Sequence, residues 1–235
     1  MDEDKKINMD IADTLIEMPQ GFSVGDKHFY LYPVTIGKMY LMQRIVDNME
    51  INHALLMVNP FAEAIRLAGT NRLNCCRLLA YHTLRTKKEV CDNDLVAQRS
   101  EFFFSEIDDE SLAQILILIL SADKTTEFIH HLGIDDENKR YAKACAAKKD
   151  SNTLTFGGRS IYGSLIDFAC ERYGWTLDYV VWGVSHTNLQ LLLADSVKTV
   201  YLTDEERKKS HLSNERPISG DNPMNNDLIT SMKWD

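Results

Sequence analysis

His82, His130 and His131 are the residues whose type could hold a metal. A zinc site needs ligands that converge, such as His at i and i+4 on one helix face or closely spaced Cys and His pairs. No His-Glu-x-x-His occurs, and no His stands four residues from another His or Cys. Adjacent helical residues point about 100° apart, so His130 and His131 do not converge. They read as one buried and one exposed His near a helix C-terminus, where the macrodipole favours them. The five cysteines, Cys75, Cys76, Cys91, Cys145 and Cys170, are odd in number and form no Cys-x-x-Cys. They read as reduced thiols, with Cys75, Cys76 and Cys170 acting as small buried hydrophobes.

Ser160 or Ser164 with His186 and Asp167 supplies the residue types of a nucleophilic triad, but no Gly-x-Ser-x-Gly elbow accompanies them. Phe156-Gly157-Gly158-Arg159-Ser160 stands before a helix, as a phosphate loop would. It lacks the Gly-x-x-x-x-Gly-Lys-Ser/Thr spacing and reads as a flexible entry to a capped helix. Asp108, Asp109 and Glu110 are carboxylates at a helix N-terminus, which the macrodipole stabilises without acid–base chemistry. These residues predict no catalytic, cofactor or metal site, and the chain reads as a non-enzyme.

The elements that would position such groups are mostly helical. Residues 1–20 carry six carboxylates, with Ile11, Leu15 and Met18 at the spacing of a short peripheral helix. Phe22-Ser23-Val24, Gly25-Asp26 and Lys27 to Tyr32 read as a hairpin with a type II′ turn, and Pro33 limits its second strand. From Thr35 onward, Ile36, Met39, Tyr40, Ile45, Val46 and Met49 form a helical stripe. Asn59-Pro60 starts the next helix, and Asn71 is placed to cap the one after it. Asp108 caps a helix stapled by Ile107 and Leu112, whose Ile115–Leu120 run is apolar on every side and reads as core. Gly133 suits a helix C-cap, and residues 135–153 read as a solvated helix or a linker.

The 235 residues carry 26 Lys and Arg against 35 Asp and Glu, a net charge of -9. A chain this acidic has no global attraction for nucleic acid or anionic lipid. The most apolar stretch, Ile115–Leu120, lies inside a 12-residue uncharged run, Ser111–Ala122, short of the roughly 20 residues that span a bilayer. The charged start, Met1-Asp2-Glu3-Asp4-Lys5-Lys6, is not that of a secretory signal. A cytoplasmic protein is expected.

Three consistent caps organise the C-terminal part. Ser160, Thr176 and Ser185 each precede a helix, Gly174 and Gly183 separate them, and Thr203 to Glu206 forms a capping box for a fourth. The expected fold is mainly α, a helical protein with a small N-terminal β-hairpin, about ten helices and a C-terminal three-helix unit at 158–200. The expected division is 1–150, 151–210 and a polar tail at 211–235, with the boundary between 148 and 156 and with Trp234 as an apolar anchor in the tail. A helix-turn-helix DNA-binding regulator is an alternative, but Arg159, Arg172 and Lys198 face Asp167, Glu171, Asp178 and Asp195 over this stretch. Such balance suits phosphate contacts poorly. Tyr173, Trp175, Tyr179, Val180, Val181, Trp182, Leu189, Leu191, Leu192 and Leu193 crowd a small unit, so part of them is expected at an interface.

Tyr173-Gly174-Trp175-Thr176-Leu177-Asp178-Tyr179-Val180-Val181-Trp182-Gly183-Val184-Ser185, with Asn188 to Asp195, resembles the C-terminal part of tailed-phage tail assembly chaperones, as found also in Bacteroidetes prophage tail clusters. Phe22 to Asp26 and Tyr32 to Lys38 are similar to those proteins too. The strong part covers about 50 residues. The resemblance implies a cytoplasmic, non-enzymatic protein that coats the apolar helical tape measure protein and helps recruit tail tube subunits. A structural tail or virion protein and self-association are related readings; no small-molecule substrate, nucleic acid or membrane is implied. Trp175, Tyr179, Trp182, Leu189 and Leu193 are the expected partner-binding residues. Trp182, Leu189 and Leu193 would share one helical side, unless Trp182 caps the core instead.

Overall fold

A computed structural model describes residues 3–148 and 156–212. The protein is mainly α, with fourteen α-helices and one two-stranded hairpin among the described residues. No described helix is long and apolar enough to cross a membrane. Contacts within the chain divide it into two units, neither continuous in sequence. One joins residues 12–124 to 169–189. The other joins the described parts of 1–11, 125–168 and 190–235.

The first unit holds the hairpin. Strands β1 (Gln20–Val24) and β2 (Lys27–Leu31) are antiparallel, with Val24 opposite Lys27 and Phe22 opposite Phe29. Gly25 has φ +55 and Asp26 stays at negative φ, which is the type II′ turn its sequence calls for. A lone hairpin is marginal in water, so its apolar face must be covered. Phe22 and Phe29 stack at 5.7 Å, and Phe29 meets Phe103 edge-on at 5.0 Å.

Helices complete this core. They are α1 (Glu3–Leu15), of which only the end belongs here, α2 (Ile36–Asp47), α3 (His53–Val58), α4 (Pro60–Thr70) and α5 (Arg72–Thr83). Then come α6 (Lys87–Val90), α7 (Asn93–Glu106) and α8 (Asp109–Leu120). Asn59 caps α4, accepting from the Ala62 N–H with Pro60 at the first turn, and Asp108 caps α8 through the Ser111 N–H. Asn71 departs from expectation. It stands before α5 without a side-chain cap bond, and its side-chain NH2 donates to the Met49 carbonyl at 3.2 Å. The apolar run Ile115–Leu120 is core only in part: Ile115 and Leu116 are buried with Leu112 and Ala113 before them, Ile117, Ile119 and Leu120 are partly buried, and Leu118 is exposed.

The second unit contains α9 (Thr125–His131), α10 (Ile134–Ala147), a π-helical turn at Tyr162–Ile166, and α14 (Asp204–Ser210). Ile11, Phe128 and Leu191 form its small core, with Ile7, Ile129 and Leu132 packed on them. Gly133, at φ +69, separates α9 from α10, so residues from 134 to 147 form a solvated helix and not a linker. Thr203 and Glu206 cap α14 reciprocally, as their spacing predicts.

The expected division at 148–156 is corrected by these contacts, although residues 149–155 themselves lie outside the described set. The helices α11 (Asp167–Tyr173), α12 (Leu177–Trp182) and α13 (His186–Ala194) do not stand apart as a unit. Residues 169–189 are built onto the hairpin core. The His186 N–H donates to the Val34 carbonyl at 2.8 Å, Thr35 and Ser185 form a β-bridge, and Trp182 packs on the core. Most of the expected 211–235 tail, with its Trp234 anchor, lies outside the described residues.

Candidate partner-binding surface

The turn from α11 into α12 is built from local signals. Gly174 takes φ +65 and its N–H closes on the Cys170 carbonyl at 3.1 Å, ending α11. Thr176 then caps α12 by accepting the Tyr179 N–H at 3.2 Å. Three residues, Gly174 to Thr176, join the two helices, and the aromatic side chains around them gather on one another. Tyr173 and Trp175 lie 4.8 Å apart by ring centroids, and Trp175 meets Tyr179 edge-on at 5.4 Å. Such tilted and edge-on pairs are the favoured geometries of aromatic rings. Leu177 is 60% exposed, Tyr179 49%, and Tyr173 is exposed beside them. The result is an ordered aromatic ridge of Tyr173, Trp175 and Tyr179, with Leu177 exposed on another side of α12.

Behind the ridge the same segment is anchored. Val180 is fully buried. Trp182 lies flat over Gly37 at the start of α2, where only a missing side chain leaves room for the ring. Gly183 does the same for Tyr179, since a Cβ there would stand 2.5 Å from the Tyr179 ring. Lys87 pairs with Asp178 and holds its ammonium 5.8 Å over the Trp182 ring, tying α6 to α12. Ser185 caps α13, accepting the Asn188 N–H at 3.2 Å, while Glu17 accepts the Ser185 N–H at 2.7 Å.

The five expected partner-binding residues therefore separate. Trp175 and Tyr179 belong to the ridge. Trp182 caps the core, partly buried, and is cut off from α13 by Gly183 to Ser185, so it shares no helical side with Leu189 and Leu193. Leu189 is 2% exposed, and this corrects its assignment. With Val184 it forms the buried staple around the Ser185 cap, and a partner cannot reach it. Leu193 is partly buried. Leu177 was not among the expected residues. Its signal was its place as the first residue after the Thr176 cap, ahead of the turn that carries the buried Val180.

The other groups weighed for chemistry have local work. Ser160 accepts the Gly163 N–H at 3.3 Å, and Ser164 donates to the Ser160 carbonyl at 2.8 Å. Burial holds the His186 imidazole below its ordinary range, with Asp123 opposing. His130 lies 3.2 Å from the Asp135 carboxylate and His131 3.2 Å from the Asn8 side chain. Among the described residues no three His, Cys, Asp or Glu side chains gather as metal ligands. Asp109 pairs with Arg72, whose guanidinium also donates to the Phe104 and Ile107 carbonyls. Cys75 and Cys76 are buried, which pushes their thiols up to about 12 and about 11. Cys170 is only partly buried, and Cys91 and Cys145 are exposed.

One buried polar group escaped the sequence. Lys38 is 1% exposed, and its ammonium lies 5.6 Å over the Tyr32 ring without a hydrogen-bond partner. His82 is buried beside it, and its carbonyl accepts the Tyr32 N–H. Nothing in the local spacing of Lys38 marks it as interior.

Compared with family models, curated proteins and solved structures, the chain finds no match.

Proposed function

We propose that this protein is a non-enzymatic tail assembly chaperone of a tailed phage or prophage. It binds the apolar helical tape measure protein in the bacterial cytoplasm and helps bring tail tube subunits to it. The observation that carries the reading is the aromatic ridge of Tyr173, Trp175 and Tyr179, ordered by ring packing and by the Thr176 cap, with Tyr173 and Tyr179 exposed and the exposed Leu177 on the same short helix as Tyr179. Exposed large apolar side chains held in a fixed arrangement mark interaction sites, and Tyr and Trp are favoured there. The resemblance of this same stretch to tail assembly chaperones supplies the partner. An apolar helix laid on the ridge would bury both surfaces at about 25 cal/mol per Å² before binding costs are subtracted.

The test is co-expression with the tape measure product of the same gene cluster, measuring how much of it stays soluble. Leu177→Ser with Tyr179→Ser is expected to lower that yield while the chaperone itself stays folded. Leu118→Ser, on the exposed side of α8, should leave it unchanged. An unchanged yield with the ridge variant sinks the site; a loss with Leu118→Ser moves it to α8.

A further inference from the structure

Residues 169–189 join the hairpin core along a seam at the start of α2. The Val34 carbonyl accepts the His186 N–H at 2.8 Å, Thr35 bridges Ser185, and Trp182 lies over Gly37. Lys38 follows directly, with its backbone N–H on the Thr35 hydroxyl at 3.4 Å and its side chain turned inward, 1% exposed.

The Lys38 ammonium is buried and has no hydrogen-bond acceptor. Its surroundings supply charge and a ring, but no bond. The Tyr32 ring lies 5.6 Å from it, with the Arg85 guanidinium 5.8 Å from the same ring. Glu89 on α6 attracts it, but that carboxylate accepts from the Arg85 and Thr86 N–H groups and the Thr86 hydroxyl. His82 at the end of α5 is buried and feels the Lys38 charge. On the α12 side Asp178 is paired with Lys87, and on the α13 side the His186 imidazole faces the charge of Asp123. An interior ammonium without acceptors is costly, and the neutral amine far less so. Burial accordingly lowers Lys38 from 10.5 to about 8, against the pull of Glu89.

We propose that Lys38 is a proton-operated latch on this seam. With the ammonium protonated, the first turn of α2 opens to let it reach water and Trp182 leaves its seat on Gly37. With the amine neutral, the turn closes and fixes α12 with its aromatic ridge. In the open state Lys38 keeps its proton up to about 10.5, and in the closed state it releases it near 8. Closing therefore releases a proton between those values, and the open fraction falls about tenfold per pH unit there. Below about 8 both states hold the proton and the balance is constant. His82 is neutral in both states throughout this range, which lies above 6.5. The latch acts on the segment that carries the ridge, but it does not rest on the function proposed above.

The test is hydrogen exchange of the full chain from pH 7 to 10, read by mass spectrometry on peptides covering α2 and residues 176–189. Hydroxide-catalysed exchange of an open amide rises about tenfold per pH unit, so a falling open fraction cancels it. Seam peptides are expected to exchange faster than α8, without dependence on low urea, and at a rate that climbs up to about pH 8 and is flat above it. In Lys38→Met the rate should climb about tenfold per pH unit throughout. Glu89→Gln keeps an acceptor for the α6 cap and should start the flat range at lower pH. Tyr32→Phe, which keeps the ring, and Asp178→Asn should leave that range where it is. A wild-type rate that climbs throughout overturns the latch, as does a flat range that persists in Lys38→Met or vanishes in Tyr32→Phe or Asp178→Asn. Seam exchange that follows urea as α8 does also overturns it, because the seam then opens only when the whole unit unfolds.

Discussion

Trp182 lies so close over Gly37 that a Cβ on Gly37 would stand 2.5–2.6 Å from three atoms of its ring. This contact joins α12 to α2, and with it the aromatic ridge to the hairpin core. Gly37→Ala gains up to about 1 kcal/mol of helix propensity but overpacks the contact by about 1–3 kcal/mol. A net loss of about 1 kcal/mol in urea unfolding is expected, with a red shift in tryptophan emission as the ring is displaced. Combined with Trp182→Ala, the two losses should fall short of additive. Additive losses would mean that the contact carries no energy.

Leu189 and Leu177 should behave in opposite ways. Leu189→Ala opens a cavity in a buried staple and should cost about 2–5 kcal/mol. Leu177→Ser lies on the surface and should change stability by no more than about 0.5 kcal/mol. Urea midpoints followed by circular dichroism separate the two, and a marginal effect at Leu189 would refute its interior position.

Thr176→Ala removes the acceptor for the Tyr179 N–H and should cost about 1 kcal/mol. It should also weaken binding at the ridge, because the cap fixes the first turn of α12. Thr176→Ser keeps the hydroxyl and should restore both properties.

Stability should change with pH through two buried bases. Burial lowers His82 from 6.5 to about 3, helped by the Lys38 charge, and lowers Lys38 from 10.5 to about 8, opposed by Glu89. The unfolded chain protonates His82 near 6.5 while the folded protein resists until about 3, so stability falls as pH drops through that window. Between about 8 and 10.5 the unfolded chain keeps the Lys38 proton that the folded protein has released, so stability rises with pH there. Lys38→Met should raise the urea midpoint at neutral pH and remove the alkaline rise. His82→Leu should flatten the acid limb. An unchanged pH profile in both variants would mean that neither group titrates in the interior.

What the sequence determined by itself was the set of local, short-range decisions. The Gly25-Asp26 turn, the caps at Asn59, Asp108, Thr176, Ser185 and Thr203, and the breaks at Gly133 and Gly174 all appear where the residues place them. Each closes a hydrogen bond or a backbone angle within about four residues, so nothing distant needs to be known. Tertiary structure decided which side of each element faces inward. Leu189 and Leu177 are both leucines in the first turns of capped helices, yet one is interior and the other exposed, because a cap fixes where a helix starts and not what packs against each of its sides. Asn71 has the right type and place for a cap, but its side chain is turned to the Met49 carbonyl, 22 positions away, to which its NH2 donates, and makes no cap bond. Lys38 is a cation between apolar helical positions, and only the closing of Tyr32 and His82 around it makes it interior.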